Sequence, residues 1–425
     1  MLMKGVGDMS QYFMKCGKLF DGVEQVLREN VNIRIADGRI VEIGESLACP
    51  ADAEVLDLSH LTVTPGLIDA HVHFDFVDPR TFDHYAYRCS DEMKALNILY
   101  CAQKSLQGGF TTVRVIGTSM NGYGSVDVRE AIANRRFPAS RLVVAPHYLG
   151  VSGGHGDSSS FLSTNPALSN EMEALNPTTG HGADFYKQAV RKEVKYGADL
   201  IKIMATGGFA SPNDDPGDCQ LDQEELRAIL DTAKQLHRPV TAHAYTADLI
   251  RNLVELGIDG IEHGSLIDAE TCDLMQEKGV YLCCTFQPYE EAVHLDEKML
   301  ARKSKHFVKK LLKYGSQLRA SRELVVKRIL EEKMIIGYGT DMVSVYDNFD
   351  CWREFATWRR SGIPALRTLK AATSVNAAIV GNDEIGVLAP GKLADIAGWS
   401  RDIENDVEAI STCDFVMKEG VIYKR

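Results

Sequence analysis

Pro65-Gly66-Leu67-Ile68-Asp69-Ala70-His71-Val72-His73-Phe74 is a mostly apolar run that changes abruptly, near its end, to two histidines one residue apart. In a strand the side chains alternate between faces, so His71 and His73 project to the same side, about 7 Å apart along the backbone. Two imidazoles so placed can grip one cation. A lone His-x-His turns up by chance in chains of this length, so its weight depends on whether later strands end in further ligands.

Outward from that stretch the chain alternates between strand-like and helical segments. Apolar runs fall at residues 110–117, 141–150, 200–207, 239–245, 260–264, 280–286 and 335–341, with helical stretches that include 222–237, 247–257 and 268–279. With the opening strand the runs make eight, which predicts parallel strands closed into an α/β (β/α)8 TIM barrel over residues 66–375. The active site of such a barrel lies at the carboxyl ends of its strands.

The flanking segments read differently. Residues 11–64 give short strands at 18–20, 31–35, 39–44 and 54–58, with Asp37-Gly38 as a hairpin turn. A second set lies at 393–397 and 415–423. Neither end has the apolar length to stand alone, so residues 1–65 and 376–425 are expected to pair into one small β-sandwich. Two connections, 151–184 and 287–333, are too long for simple turns and are expected to act as lids. The Lys-rich part of the second, 298–313, reads as a solvated helix rather than an anion-binding face.

Composition bounds the partners. The chain has 425 residues, 45% of them hydrophobic, and a formal charge of −12, which argues against nucleic acid or an anionic membrane and for a small-molecule ligand, with a homo-oligomer left open. The start, MLMKGVGDMSQYFMKCGKLF, has no uninterrupted apolar core, and no later run approaches the roughly 20 apolar residues of a membrane span, so a cytoplasmic protein is expected. Ten scattered cysteines without a Cys-x-x-Cys pair point to reduced thiols.

The strand ends can now be read together. The first carries His71 and His73, the fourth Lys202, the fifth His243, the sixth His263 and the eighth Asp341, all where a barrel converges its strands. Singly, His243 and His263 read equally well as core histidines and Asp341 as a helix cap; together they require a coincidence. Lys202, flanked by Ile201 and Ile203, is more telling, because burying an unpaired ammonium costs several kcal/mol. Carboxylation by carbon dioxide would turn that cation into a carbamate whose two oxygens bridge two metals. Four imidazoles, an aspartate and a carbamate divide naturally between two divalent ions, zinc first, with manganese, cobalt, nickel or iron also suited. Two such ions some 3.5 to 4 Å apart can share a water and bring its pKa toward neutrality, for attack on a carbonyl. Asp341 would accept the proton of that water and pass it to the leaving nitrogen.

With these residues assembled the chain resembles the amidohydrolase superfamily, from about residue 16 to the end, through PGLIDAHVH, GGFTTVR, SGGHGD, LIKIMATGG, TAHAY, IEHGS, YGTD, GKLADI and VMKEG. Within it the chain looks most like the imidazolonepropionase-related branch that includes binuclear Xaa-Pro and Xaa-Arg or Xaa-Lys dipeptidases and carboxypeptidases. The resemblance implies a distorted (β/α)8 barrel with a flanking β-sandwich, a carboxylated Lys202, and metal ligation by His71, His73, Lys202, His243, His263 and Asp341. It argues against the mononuclear deaminases, which lack the fourth-strand lysine. One departure is Tyr245, which stands where close relatives usually have a second histidine in Ala-His-Ala-His-Gly; it still offers a hydrogen bond to substrate.

His155 follows the third strand among glycines that allow close approach of a ligand, and is expected to polarise the scissile carbonyl or bind a substrate carboxylate. Arg114 fits either a substrate carboxylate clamp or a structural ion pair. The expected function is a binuclear metallohydrolase that cleaves an amide or peptide bond of a dipeptide or N-acyl amino acid. A xenobiotic amidase acting on an acyl amino acid, urea or carbamate is the alternative, and a binding protein on a barrel without catalysis is the third reading.

Overall fold

The computed structural model describes residues 11–76, 89–157, 159, 165–175, 178–290, 304–342 and 350–425. Five strands come first: β1 (Tyr12–Leu19), β2 (Arg28–Glu29), β3 (Asn32–Ala36), β4 (Arg39–Gly44) and β5 (Glu54–Pro65). Eight follow: β6 (Leu67–Val72), β7 (Phe110–Thr118), β8 (Arg141–Leu149), β9 (Ile201–Met204), β10 (Val240–Thr246), β11 (Gly260–Leu266), β12 (Tyr281–Cys284) and β13 (Ile336–Tyr338). The last three are β14 (Ile396–Trp399), β15 (Phe415–Lys418) and β16 (Val421–Lys424).

The eight middle strands form one sheet in chain order from β6 to β13, every neighbouring pair parallel. Its two edges meet where the chain past β13 runs beside β6: Val72 bridges Met342 in parallel, Asp341 N–H donates to His71 O at 2.8 Å, and His73 N–H to Met342 O at 2.7 Å. The distorted (β/α)8 barrel is therefore present, and its closing seam holds three of the predicted ligands.

The termini supply the separate mixed sheet. Its order is β16-β15-β14-β5-β1-β3-β4 with β2 on β1, and it has its own core of Met14, Ile33, Leu56, Val63, Ile396 and Phe415. Pro65-Gly66 carries the chain from this sheet straight into the barrel. A Cβ on Gly66 would fall 2.3 Å from the Thr111 side chain, so only glycine lets β6 dock on β7 at that corner. Arg141 at the foot of β8 fastens the two parts, 2.8 Å from Asp395 and 2.7 Å from Glu419.

The helices that cover the barrel start and stop where their caps place them. Asp222 accepts from the backbone N–H groups of Glu224 and Glu225, and Glu225 returns the contact, a capping box that begins Gln223–Gln235. Asp268 caps Ala269–Lys278, and Gly279 at φ 71° ends it.

The two long connections hold more regular structure than expected. The first contains the helix Pro166–Leu175 and leads into Ala183–Lys195; the second contains Gln287–Tyr289 and then the 27-residue helix Lys305–Glu331. Residues 158, 160–164, 176–177 and 291–303 of these proposed lids lie outside the described residues, as do 1–10 of the N-terminal stretch. Lys310 corrects the reading of 298–313 as a solvated face: it is 7% exposed, because its ammonium is drawn onto a neighbouring loop. Among the described residues no helix is long and apolar enough to cross a membrane, and the cysteines are free thiols.

Candidate active site

At the carboxyl ends of the barrel strands the imidazoles of five residues form a continuous chain. Ring centroids are 5.3 Å apart for His73–His71, 4.8 Å for His71–His263, 4.7 Å for His263–His243 and 4.4 Å for His243–His155. Asp341 Oδ1 lies 3.4 Å from His71 Nε2 and 3.7 Å from His73 Nε2. Ligand atoms of His71, His73 and Asp341 all fall within 4.8 Å of one another, as a shared cation requires.

Lys202 sits on β9, opposite Thr241 of β10 in the parallel register. It is 1% exposed, and Nζ has no hydrogen-bond partner among the described residues. Burial lowers its pKa to about 8, against the opposing pull of Glu262 and Asp341. Its charge in turn reaches His73, His243 and His263, which places the amine beside the imidazole chain. An amine with that pKa is substantially neutral near pH 8, the form that reacts with carbon dioxide.

Burial also keeps the imidazoles of His73, His243 and His263 neutral, the form with a lone pair to give a cation. It drives His73 down to about 4 and holds His243 and His263 well below the ordinary value. Asp341 behaves oppositely: burial would raise it, but contact with His71 and the charge of Lys202 bring it to about 2. It is therefore a carboxylate across the neutral range.

Behind the ligands stands a residue that the sequence reading passed over. Glu262 Oε2 lies 2.8 Å from His71 Nδ1, Oε1 lies 2.8 Å from Arg114, and Thr241 donates to Oε1 at 2.6 Å. Glu262 accepts the Nδ1 proton of His71, which fixes the tautomer and leaves the Nε2 lone pair free for a cation. Arg114 also donates from Nε to Ala70 O and from Nη1 to the Tyr281 hydroxyl, so the structural ion pair, and not the substrate clamp, is its role. Glu262→Ala is expected to lower unfolding free energy by about 3–5 kcal/mol, since it strands a buried guanidinium. Denaturant titration measures this, and a loss below about 1 kcal/mol would contradict it.

Two of the predicted ligands have backbones that non-glycine residues rarely adopt: φ is 69° at His263 and 53° at Asp341. Such conformations cost on the order of 1–3 kcal/mol and gather at functional sites. The turn at His263 also explains how consecutive residues, Glu262 and His263, both approach His71, although a regular strand would send them to opposite faces.

His155 and Tyr245 lie on the far side of the same cluster. The Tyr245 ring stacks on His263 with centroids 5.4 Å apart and meets His243 edge-on at 4.7 Å. Its hydroxyl pairs with that of Tyr289, and both rings pack with Phe209 into an aromatic wall beside the histidines. His155 stacks on His243 and is held by Ser211 through Nδ1 at 2.8 Å.

Known proteins bear on this site. The sequence model described as "Amidohydrolase family" matches residues 62–423. Ochratoxinase of Aspergillus niger is 26% identical over 427 residues, covering 96% of this chain and 85% of that protein. A crystal structure of a Xaa-Pro dipeptidase with methionine in its active site is 29% identical with a TM-score of 0.84, covering 98% of this chain and all of that one. A prolidase crystallised with N-methylphosphonate-L-proline is 25% identical with a TM-score of 0.80, at 98% and 100% coverage.

Proposed function

Because the chain belongs to the amidohydrolase family, whose members matched here hydrolyse carbon–nitrogen bonds, we propose that it cleaves the amide bond of a dipeptide or N-acyl amino acid at a pair of divalent cations. The observation that carries this reading is the buried Lys202 amine, without a hydrogen-bond partner among the described residues, set among the imidazoles of His71, His73, His243 and His263 and one carboxylate. A structural lysine would have a counterion or carbonyls within reach. One awaiting carboxylation and cations needs this surrounding.

His71, His73, His243, His263, Asp341 and carboxylated Lys202 would hold the pair, with zinc the best match to an imidazole and carboxylate donor set. Bound there, the cations supply Lewis acidity that makes a water nucleophilic near neutral pH and polarises the scissile carbonyl. Asp341, already a carboxylate, takes the proton of the attacking water and delivers it to the departing nitrogen, so that amide and water become acid and amine. His155 and Tyr245 face the substrate, His155 toward the scissile carbonyl or a substrate carboxylate. The buried setting excludes bulk water, which strengthens each of these contacts.

A second reading has its own support. The aromatic wall of Phe209, Tyr245 and Tyr289 beside His243 suits a flat apolar group, and one relative is an ochratoxinase. On that reading the substrate is a xenobiotic amide, carbamate or urea. Turnover of a panel of dipeptides, N-acyl amino acids, carbamates and phenylureas by chain reconstituted with zinc and bicarbonate decides between them. Hydrolysis of dipeptides is the expected result; hydrolysis of the N-acyl set alone removes the dipeptidase reading, and no hydrolysis of any class removes the amide-hydrolase reading.

A further inference from the structure

His155 is gripped from behind by a loop that a lysine of the long helix braces. Its Nδ1 lies 2.8 Å from Ser211 Oγ and 3.9 Å from Asp214 Oδ2, while the Ser211 hydroxyl donates to Asp214 Oδ1. A serine has one proton, and here the carboxylate receives it, so Nδ1 is the donor in its contact with Ser211. A Cβ on Gly208 would come within 2.1 Å of the same Nδ1, so the ring rests directly on the backbone at that point. The backbone N–H of His155 donates to Gln220 Oε1 at 3.1 Å.

Asp214 is the hub of this grip. It accepts from Gly208 N–H at 3.0 Å, from Gln220 Nε2 at 3.2 Å and from Lys310 Nζ at 3.0 Å. Lys310 spends its other two protons on Gly208 O at 2.6 Å and Ser211 O at 2.5 Å. All three donors of a buried ammonium thus go to one loop, which fixes the loop to the helix Lys305–Glu331. A brace that served only the loop would have no need of a polar path onward to an imidazole stacked on His243.

Resting on the amide-hydrolase reading, we propose that Asp214, braced by Lys310, is a positioning residue that fixes the Nδ1 proton and ring plane of His155 and so turns Nε2 toward substrate. Neither residue touches substrate. Both act through His155, from a loop and a helix that follow it by more than 50 residues.

The test uses the full chain loaded with zinc and bicarbonate, in the parent and in a His155→Ala background. Asp214→Asn and Lys310→Met are each expected to lower kcat/KM about tenfold or more in the parent and less than twofold when His155 is absent, while Lys310→Arg retains activity. In parallel, 15N-histidine NMR should show one protonated Nδ1 signal that His155→Ala deletes and Asp214→Asn moves or abolishes. Equal losses in both backgrounds, or an Nδ1 signal indifferent to Asp214→Asn, would overturn the proposal. If the parent hydrolyses no amide, the hydrolase reading falls and the NMR comparison alone decides the positioning role.

Discussion

Lys202→Ala is expected to lower kcat/KM by at least about a thousandfold, roughly 4 kcal/mol of transition-state stabilisation. The side chain is buried and its amine meets no hydrogen-bond acceptor among the described residues, so the alanine leaves a cavity beside His243 and His263 rather than a broken network. Acetate or propionate can enter that cavity and present two oxygens where the carbamate would have been, and should return part of the lost activity. Stability separates this from a structural role. Removing the buried amine while keeping the volume of the side chain relieves a desolvation cost, so metal-free Lys202→Met should melt no lower than the metal-free parent. A lysine that merely holds the fold would give the opposite pair of results, with activity within about tenfold and a lowered melting temperature.

Asp341→Asn should remove about three to four orders of magnitude of kcat while leaving the folded chain intact. Asparagine keeps the shape and accepts the left-handed backbone that Asp341 has at φ 53°, and the backbone hydrogen bond from position 341 to His71 O survives. What is lost is the carboxylate 3.4 Å from His71 and 3.7 Å from His73, and with it the proton acceptor. Steady-state kinetics beside a thermal melt checks this. A variant that keeps more than about a tenth of the parent kcat would show that another group takes the proton.

Much of the architecture was legible because it is written in local patterns. The apolar run 65–74, the alternation that follows it and the Asp-Gly hairpin depend on residues near in sequence, and β6 to β13 appear where those patterns place them. His71, His73, His243, His263 and Asp341 stand out because each is a polar residue near the end of an apolar run, and Lys202 because it interrupts one. Glu262 does not stand out: strict alternation sends it away from the face that His263 serves, and only the positive φ at His263 brings both to His71. Arg114 stayed undecided because its partner is 148 residues away. Lys310 was misread for a similar reason, since nothing in a Lys-rich helix marks the one lysine whose acceptors lie about 100 residues earlier, on a loop packed against it.

The two substitutions ask what the residues do; where cations sit asks whether they act together. Crystals of the chain reconstituted with zinc and bicarbonate, measured at the zinc absorption edge, answer that directly. Two anomalous peaks enclosed by His71, His73, Lys202, His243, His263 and Asp341 are expected, with density on Lys202 Nζ for the added carboxylate. No peak there, or a single peak with Lys202 as a bare amine, would contradict that expectation.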